Sequence, residues 1–389
     1  FIMFKRPFEE VINTENLFQI EQATTVISTE DFRIYPKKQE DLLEEGWEYP
    51  EEKQQRITKE KFSYGKYTGN KWGGKYLRAP DIYFTILEKG KGKLVRLGDI
   101  AEVKRGFTTG ANEFFYLPSK HFNIKKEDGF YRLIPKYEGL PEDLRIEEEF
   151  LKPVIKSPRE CKSILIRPED LKYKIFMCHK DKGKLKGTSV LKYIKWGEKQ
   201  GFHKRPTCRG RQRWWDLGGR KFPNFVIPCG VREIFKVFKN THVFVDKRLY
   251  EMYGGNIITW ASCNSTLYSF LLELKTRNYG GGGGPIDATV YEINNILVID
   301  INDFTNKFVE MLENILTKLS LRKIYPLFTE LGINPNLPIR NQNPNPLPDR
   351  KALDDIIFDI LGLTADERRE VYWAVCELVK NRLEKARSV

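Results

Sequence analysis

The sequence lacks any long hydrophobic run, although 40% of its 389 residues are hydrophobic. No stretch approaches the roughly 18 consecutive apolar residues that a membrane-spanning helix needs. The first ten residues show no small-residue cleavage site after a hydrophobic segment, so no signal peptide is visible. Position 1 is Phe rather than Met, so we expect a fragment or a chain without its first residues. These absences predict a protein with no membrane partner.

Paired cysteines are missing too. The six cysteines are scattered and none forms a Cys-x-x-Cys pair, which argues against a structural zinc site. They lie at positions 161, 178, 208, 229, 263 and 376. Cys178 could meet His179, and His203 could meet Cys208, at a metal site. Scattered buried thiols are the favoured interpretation of these cysteines. Unpaired thiols are typical of a reducing compartment, so we expect a cytoplasmic protein that holds no metal.

Motifs for nucleotide hydrolysis and metal-dependent cleavage are absent or weak. No Walker A sequence occurs, so helicase or translocase activity is not supported. The glycine run at 280–284 follows a candidate helix and is closed by Pro285, whereas phosphate-binding loops follow a strand. We interpret it as a mobile loop or a plain connection. Asp41 with Glu51 and Lys53 has the residue types of a nuclease site, but its polar surroundings favour a surface loop. We expect no catalytic residue in this chain.

Positive charge is in excess, with 66 Lys and Arg residues against 53 Asp and Glu residues and a net charge of +13. Such an excess favours a polyanionic partner, either a nucleic acid or an acidic membrane face. A basic protein without such a partner would have the same net charge. The positions of the charges therefore have to separate these interpretations.

The segment 193–221 concentrates much of the positive charge. Its only acidic residues are Glu198 and Asp216, and such one-sided clustering is costly unless a polyanion offsets it. Arginine matches phosphate and guanine with a bidentate fork, while tryptophan can stack on an unpaired base or brace the loop. We predict nucleic-acid contacts from Lys199, Lys204, Arg205, Arg209, Arg211, Arg213, Trp214, Trp215, Arg220 and Lys221.

A second candidate segment runs from Leu94 to Leu117. Its pattern predicts a short basic strand, a turn-rich polar loop and an aromatic strand at 113–117, which together form one hairpin-sized unit. Cations, hydroxyls and an amide held between strands suit contacts with phosphates and base edges. The candidate contact residues are Lys104, Arg105, Thr108, Thr109 and Asn112.

Both segments resemble the target recognition domain of TaqI-type adenine-N6 DNA methyltransferases. The stretches LGDIAEVKRGFTTGANEFFYL and HKRPTCRGRQRWWDL carry the resemblance, and type I and type IIG specificity domains open in a similar way to the first. Segments 150–160, 264–278 and 347–388 extend it over most of the chain from about residue 70. The resemblance implies a double-stranded DNA partner and adds Arg277 and Asn278 to the candidate contacts.

Two motifs of that family are missing. Adenine-N6 methyltransferases need Asn, Asp or Ser followed by Pro-Pro-Tyr or Pro-Pro-Phe, which orients the target amino group and stacks on the flipped base. No such tetrapeptide occurs, because residues 343–346 read Asn-Pro-Asn-Pro, and no glycine-rich turn for S-adenosylmethionine occurs either. The resemblance therefore implies a catalytic methyltransferase domain in cis or in trans that binds S-adenosylmethionine. We expect no cofactor in this chain.

We expect an α+β fold in three parts. Residues 1–90 would be the tail of the catalytic domain or a spacer, 91–301 a mixed, β-rich target recognition domain, and 302–389 a C-terminal helical region. Short strands are predicted at 164–166, 225–228, 243–245 and 295–301, and helices at 260–274, 304–319, 353–363 and 364–386. The predicted apolar face of the 304–319 helix is Phe304, Phe308, Met311, Leu312, Ile315 and Leu319.

The resulting hypothesis is that the chain is the DNA-recognising part of an adenine-specific methyltransferase of a restriction-modification or phage-defence system, without catalysis of its own. Two alternatives remain open. One is a standalone specificity subunit that pairs with separate methylase and nuclease chains. The other is a basic nucleic-acid-binding protein without sequence specificity.

Overall fold

In a computed structural model the chain forms two compact units, residues 1–85 and 86–389. The structure describes residues 1–48, 65–67, 69, 72–278, 284–301 and 304–385. Short strands in small sheets alternate with helices, which confirms the predicted α+β class. The three-part division at residues 90 and 301 stays a prediction. Most of the glycine run, together with Glu51 and Lys53 of the nuclease alternative, lies outside the described residues.

Strands and helices are numbered in chain order. The strands are β1 (Ile2–Phe4), β2 (Ile27–Ser28), β3 (Phe32–Ile34), β4 (Trp47–Glu48), β5 (Lys66–Tyr67), β6 (Leu94–Arg96), β7 (Ala101–Arg105), β8 (Tyr116–Leu117), β9 (Phe122–Glu127), β10 (Phe130–Pro135), β11 (Arg145–Glu147), β12 (Leu151–Ile155), β13 (Tyr173–Phe176), β14 (Phe225–Pro228), β15 (Gly230–Val231), β16 (Phe238–Lys239), β17 (Phe244–Val245), β18 (Leu249–Gly254), β19 (Arg277–Asn278), β20 (Ile286–Asp287) and β21 (Leu297–Ile299). The α-helices are α1 (Phe8–Val11), α2 (Thr14–Gln22), α3 (Gln39–Glu45), α4 (Asp81–Lys89), α5 (Leu97–Ile100), α6 (Asn112–Phe115), α7 (Ser189–Lys199), α8 (Pro206–Arg209), α9 (Ile257–Cys263), α10 (Thr266–Lys275), α11 (Val290–Asn294), α12 (Asn306–Leu321), α13 (Leu327–Leu331), α14 (Pro348–Leu361) and α15 (Ala365–Lys385).

The first unit is built on the antiparallel sheet β1-β3-β2. Val11, Phe32 and Ile34 form its small core. Arg33, the middle residue of β3, is buried, and its guanidinium donates to a carboxylate oxygen of Asp81 at 2.7 Å and to the carbonyl oxygen of Tyr76 at 3.1 Å. These bonds satisfy a charge that would otherwise be costly to bury.

The second unit contains two four-stranded sheets, β17-β12-β13-β8 and β16-β14-β18-β7. A third sheet, β11-β10-β9, includes a hairpin whose turn is Asp128-Gly129, with Gly129 at φ +72°. Glycine is favoured there because a left-handed backbone conformation is strained for residues with a Cβ atom. A large core cluster includes residues of β9 to β13 and is rich in stacked aromatic rings, including Phe114 and Tyr193, whose centroids are 4.6 Å apart.

The prediction that residues 94–117 form one hairpin-sized unit is wrong. Its strands enter three different sheets, since β6 pairs with β21, β7 with β18 and β8 with β13. Each partner is far along the chain, and the helical turn α5 separates the first two strands. Local alternation predicts a strand but not its partner, because pairing is set by the cores that the two faces enter.

The aromatic strand predicted at 113–117 is correct only for its last two residues, which form β8. Residues 112–115 form the single helical turn α6, in which the backbone N–H groups of Phe114 and Phe115 donate to the carbonyl oxygen of Ala111 at 2.9 and 3.0 Å. Both rings are fully buried. Neighbouring positions on a strand point to opposite faces, so the helical turn lets both rings enter one core.

Other predicted elements are confirmed with changed bounds. Strands are present at 225–228, 244–245 and 297–299, while 164–166 contributes only an isolated bridge from Leu165 to Lys239. The single helix predicted at 260–274 is two helices, α9 and α10. They separate at Asn264 and Ser265, because the Asn264 amide bonds to the backbone of Val237 and Ser265 caps α10.

The C-terminal helices are confirmed as α12, α14 and α15, with α14 starting earlier than predicted. On α12 Leu312 and Leu319 are buried but Met311 is exposed, and Phe304, which precedes the helix, is exposed too, so the predicted apolar face is only partly correct. Helix α15 packs on the buried helix α10, where Arg382 pairs with Glu273. No helix in the described part of the chain is long and apolar enough to cross a membrane.

Candidate functional site

The two basic segments, about a hundred residues apart in sequence, lie against each other in the second unit. The Arg211 guanidinium donates to the carbonyl oxygens of Thr108 and Thr109 at 2.8 and 3.0 Å. The Cys208 thiol donates to the same Thr109 oxygen at 3.6 Å. We call residues 106–112 the recognition loop and residues 199–221 the basic segment. The segment thus serves as the support on which the loop rests.

Gly110 allows the loop to approach helix α8 closely. Its φ is +78°, and a Cβ atom built there would lie 2.6 Å from Cβ of Thr207. A side chain would therefore be strained by the backbone conformation and would also collide with α8. Gly110 is therefore needed for its left-handed backbone conformation as well as for this close approach.

An ion pair joins the end of the loop to the start of α8. Arg205 donates to both carboxylate oxygens of Glu113, at 2.8 and 3.2 Å. This bidentate contact holds the pKa of Glu113 at about 2. Lys120 adds a weaker interaction at 3.5 Å. Charge-assisted forks of this kind fix geometry as well as charge, so the loop is held at both ends.

Arg220 holds the strand that leads into the loop. Its guanidinium donates to the carbonyl oxygen of Arg105 at 3.0 Å and to the carboxylate of Glu251 at 2.8 Å, and it lies 4.5 Å from the ring centroid of Phe107. Glu251 is buried, and burial raises its pKa. Arg220 therefore compensates a buried carboxylate and fixes the loop entrance at the same time.

The two tryptophans of the basic segment are buried in the aromatic core. Trp214 lies 4.6 Å from Phe114 between ring centroids, and its indole N–H donates to Glu198 at 3.0 Å. Trp215 packs edge-on against Trp214. Of the two roles that the sequence leaves open for these rings, this placement corresponds to bracing the loop. A contact with DNA by either ring stays a prediction.

The candidate cations fall into two groups. Arg205, Arg211, Arg213 and Arg220 are engaged inside the protein, and Arg213 bonds to Asp216 at 2.7 Å and Asp181 at 2.9 Å. Arg220 is exposed although it pairs with Glu251, whereas four other exposed cations of the basic segment have no ion pair with any residue that the structure describes. These four are Lys199, Lys204, Arg209 and Lys221. Free exposed cations are the ones available to phosphates without breaking an internal bond.

The candidate residues of the loop itself divide in the same way. Thr108 and Asn112 are exposed, whereas Thr109 is buried and its hydroxyl donates to Oδ1 of Asn112 at 2.5 Å. Lys104 and Arg105 are exposed on β7, with Lys104 paired to Glu102 at 2.7 Å. Thr109 is thus placed to orient the Asn112 amide rather than to reach a ligand.

Arg277 and Asn278 form β19, which pairs with β20. The structure describes their backbone, not their side chains, so their contact with DNA stays a prediction. Within the described ranges, no group of three or more His, Cys, Asp or Glu side chains could hold a metal ion.

A recess beside Asn112 contains four lysines that the local sequence did not single out. It has a volume of about 320 Å³ and is lined by Lys120, Lys136, Lys156 and Lys172. Each of these residues lies in a different stretch of the chain, so no charge cluster is visible in the sequence. A second recess of about 510 Å³, which includes Arg211, Gln212 and Arg213, lies along the basic segment.

Comparison with known proteins finds one matching family and a similarity of fold to a solved structure. The family described as the C-terminal domain of the type II methyltransferase M.Eco57I matches residues 69–330. None of the curated proteins compared with the chain matches it. The type IIG restriction endonuclease BpuSI shares 13% sequence identity with a TM-score of 0.50, covering 78% of this chain and 34% of that protein.

The type IIL restriction-modification enzyme MmeI, solved in complex with DNA, shares 11% sequence identity with a TM-score of 0.44. This match covers 76% of this chain and 36% of that protein. The chain therefore spans about a third of the length of each of these two enzymes. The likeness to BpuSI is one of fold, whereas the family match includes the recognition loop and the basic segment. Because that match covers well over half of the chain, the protein belongs to the family of the type II methyltransferase M.Eco57I C-terminal domain.

Proposed function

We propose that this chain binds duplex DNA and selects the sequence in which a catalytic domain methylates an adenine at N6. That domain would lie in the same polypeptide or in a partner and would bind S-adenosylmethionine, while the described chain contributes recognition. Membership of a type II methyltransferase family supports this proposal. The small share of BpuSI that the chain covers leaves room for a catalytic part elsewhere.

The observation that carries the proposal is the contact between Arg211 and the recognition loop. Arg211 and Arg220 use their donors on loop and strand carbonyls, which fixes the loop before any ligand binds. Thr108 and Asn112 stay exposed on this fixed loop. A pre-organised loop loses less conformational entropy on binding, and hydroxyl and amide groups can read base edges in the grooves.

The free cations supply the complementary part of the interface. Lys199, Lys204, Arg209 and Lys221 would bind phosphates and set the register, without carrying sequence information. The loop would then supply selectivity. This division explains why one segment holds both engaged and free cations: the engaged ones support the loop and the free ones attract DNA.

A selection from random-sequence duplexes tests the proposal. The chain is incubated with the pool, bound duplexes are amplified, and a labelled winner is challenged with unlabelled random duplex. We expect the selection to enrich one sequence motif. Displacing the labelled selected duplex should need at least about 100-fold more unlabelled random duplex than unlabelled selected duplex. Equal displacement would support the non-specific alternative instead, and absence of any duplex binding would reject DNA recognition.

The adenine assignment needs a separate measurement. DNA from cells that express the whole reading frame is sequenced for N6-methyladenine, and the methylated positions are compared with the selected motif. N6-methyladenine within that motif is the expected result. Methylation of cytosine at the motif would contradict the assignment of the catalytic partner while leaving sequence recognition intact.

A further inference from the structure

The recess beside Asn112, which we call the lysine recess, is assembled at the ends of neighbouring strands. Lys156 directly follows β12 and Lys172 directly precedes β13, and these strands are antiparallel partners with Val154 opposite Tyr173. Lys120 and Lys136 follow β8 and β10. The fold therefore brings four ammonium groups from distant positions to one concave surface of about 320 Å³.

Lys156 is held in place without a carboxylate. Its ammonium nitrogen lies 4.2 Å from the ring centroid of Tyr116 and 4.1 Å from that of Tyr173. The Tyr116 hydroxyl donates to Asp246 at 2.6 Å, which fixes that ring. Burial lowers the pKa of Lys156. Aromatic faces attract a cation but do not cancel its charge, so the ammonium can still bind an anion.

The acidic groups near the recess are already occupied. Glu113, on its wall, is held by the guanidinium of Arg205 and has a longer contact of 3.5 Å with Lys120. Glu160 accepts hydrogen bonds from the backbone N–H groups of Lys156, Ser157 and Lys172 at 2.8 to 2.9 Å. Lys136 is positioned by a 2.6 Å bond to the carbonyl oxygen of Ser119, which leaves its charge uncompensated. The recess therefore has a net positive charge and ordered donors.

We propose that the lysine recess binds a phosphodiester group of the DNA backbone next to the base-reading loop. This inference rests on the proposed function, because the recess shares Asn112 with the recognition loop. A phosphate held here would fix how far the loop enters the groove, since phosphate contacts set register and orientation. Lys156 would supply the central contact, with Lys172 and Lys136 at the rim.

The test measures binding of the selected duplex by the whole chain at several salt concentrations. For Lys156→Gln combined with Lys172→Gln we expect affinity to fall about 10-fold and the slope of log K against log salt to fall by roughly 1 to 2 units. Lys307→Gln combined with Lys318→Gln, which changes two exposed lysines on α12, is the matched control and should change neither quantity. An unchanged slope in the double variant overturns the recess as a DNA contact.

Methylphosphonate substitution identifies the source of the phosphate. A neutral linkage is placed at successive positions of the DNA backbone. At one position it should weaken duplex binding by the native chain, and this loss of affinity should disappear in the double variant. If no position behaves so, the recess is not a backbone site. Binding of inorganic phosphate to the native chain but not to the double variant would then identify free phosphate as its ligand instead. Because Lys172 and Lys136 are exposed, their single variants preserve the test if Lys156→Gln unfolds.

The outcomes separate the two proposals. Normal duplex selection by the native chain with an unaffected double variant rejects the recess and keeps the proposed function. Failure of the native chain to bind any duplex rejects both. A reduced slope together with a position-specific methylphosphonate effect supports both.

Discussion

The guanidinium of Arg211 donates to the carbonyl oxygen of Thr108 at 2.8 Å although 103 residues separate them in sequence. Two further carbonyls, those of Thr109 and Trp214, accept from the same side chain at 3.0 and 3.3 Å. The three acceptors lie on both sides of the site, so one residue ties the recognition loop to the basic segment. Its fixed fork suits that task better than a flexible ammonium does.

Replacing this fork should loosen the loop without removing charge. For Arg211→Lys we expect a loss of about 1–2 kcal/mol in the free energy of unfolding, because a single ammonium cannot serve three carbonyls. Affinity for the selected duplex should fall while its salt slope stays unchanged. Urea unfolding and binding titrations measure both quantities. Arg209→Lys, at an exposed residue without an ion pair in the described part of the chain, is the control that should leave stability unaffected.

The free cations should behave in the opposite way. Lys204→Gln combined with Arg209→Gln should leave the unfolding free energy within about 0.5 kcal/mol of the native value. The salt slope of duplex binding should fall by roughly 0.9 for each DNA phosphate that the variant no longer neutralises. Lys307→Gln combined with Lys318→Gln serves again as the charge-matched control. A slope equal to that of the native chain would remove these two residues from the interface.

The Glu113–Arg205 pair gives a pH signature. Arg205 holds the pKa of Glu113 at about 2, against 4.5 for an unperturbed glutamate. Because the folded pKa lies below the unfolded one, the pair stabilises the protein above about pH 4.5, and this contribution is lost as pH falls toward 2. The stability difference between native and Glu113→Gln proteins should therefore shrink over that range in urea unfolding at stepped pH.

Glu138→Gln is the control for the same experiment, since Glu138 is exposed and has no ion pair in the described part of the chain. Its difference from the native protein should stay nearly constant with pH. A Glu113→Gln difference that is equally flat would mean that Arg205 does not hold the carboxylate in solution.

Alanine variants at two glycines distinguish the cost of backbone strain from the cost of a steric collision. Gly110 and Gly129 have φ values of +78° and +72°, but only at Gly110 would a Cβ atom collide with another residue, Thr207. Alanine should cost about 1 kcal/mol at Gly129 for the left-handed conformation. At Gly110 a further 1–3 kcal/mol, roughly, is expected because the loop or α8 must shift. Urea unfolding measures both variants, and equal losses would contradict the close approach.

Local sequence patterns are sufficient to predict those helices and strands that are set by residues a few positions apart. The last helix begins close to its predicted start, at a capping box in which the Thr364 N–H donates to Glu367 at 2.7 Å and the Glu367 N–H donates to the Thr364 hydroxyl at 3.3 Å. Strand β14 lies at the residues predicted for it because a run of four buried apolar residues favours a strand. Turn and cap chemistry acts over three or four residues, which a single sequence displays directly.

The site requires information that no local pattern contains. The partners of Arg205 and Arg211 are 92 and 103 residues away, so the sequence could not separate engaged arginines from free ones. The lysine recess is invisible in the sequence because its members occur singly along the chain. Aromatic residues favour a strand at 113–117, but burial of Phe114 and Phe115 in one core makes their segment a helical turn.

The buried ion pair between Arg382 and Glu273 tests whether the C-terminal helices unfold together with the rest of the second unit. Their side chains are almost completely buried and their closest atoms are 2.5 Å apart, which joins α15 to α10. Arg382 also donates to the carbonyl oxygen of Arg232 at 2.5 Å. Removing one partner leaves a buried charge, so Arg382→Met should cost about 3–5 kcal/mol.

If the second unit unfolds cooperatively, Arg382→Met should shift the tryptophan-fluorescence and far-ultraviolet circular-dichroism transitions in urea together. Combining it with Glu273→Met should recover much of the loss, because an apolar pair no longer buries an uncompensated carboxylate. Arg369→Met, which breaks an exposed pair with Asp366, is the control and should cost no more than about 1 kcal/mol. Separate transitions for the two probes, with only the helical signal shifted, would instead support an independent helical region beginning near residue 302.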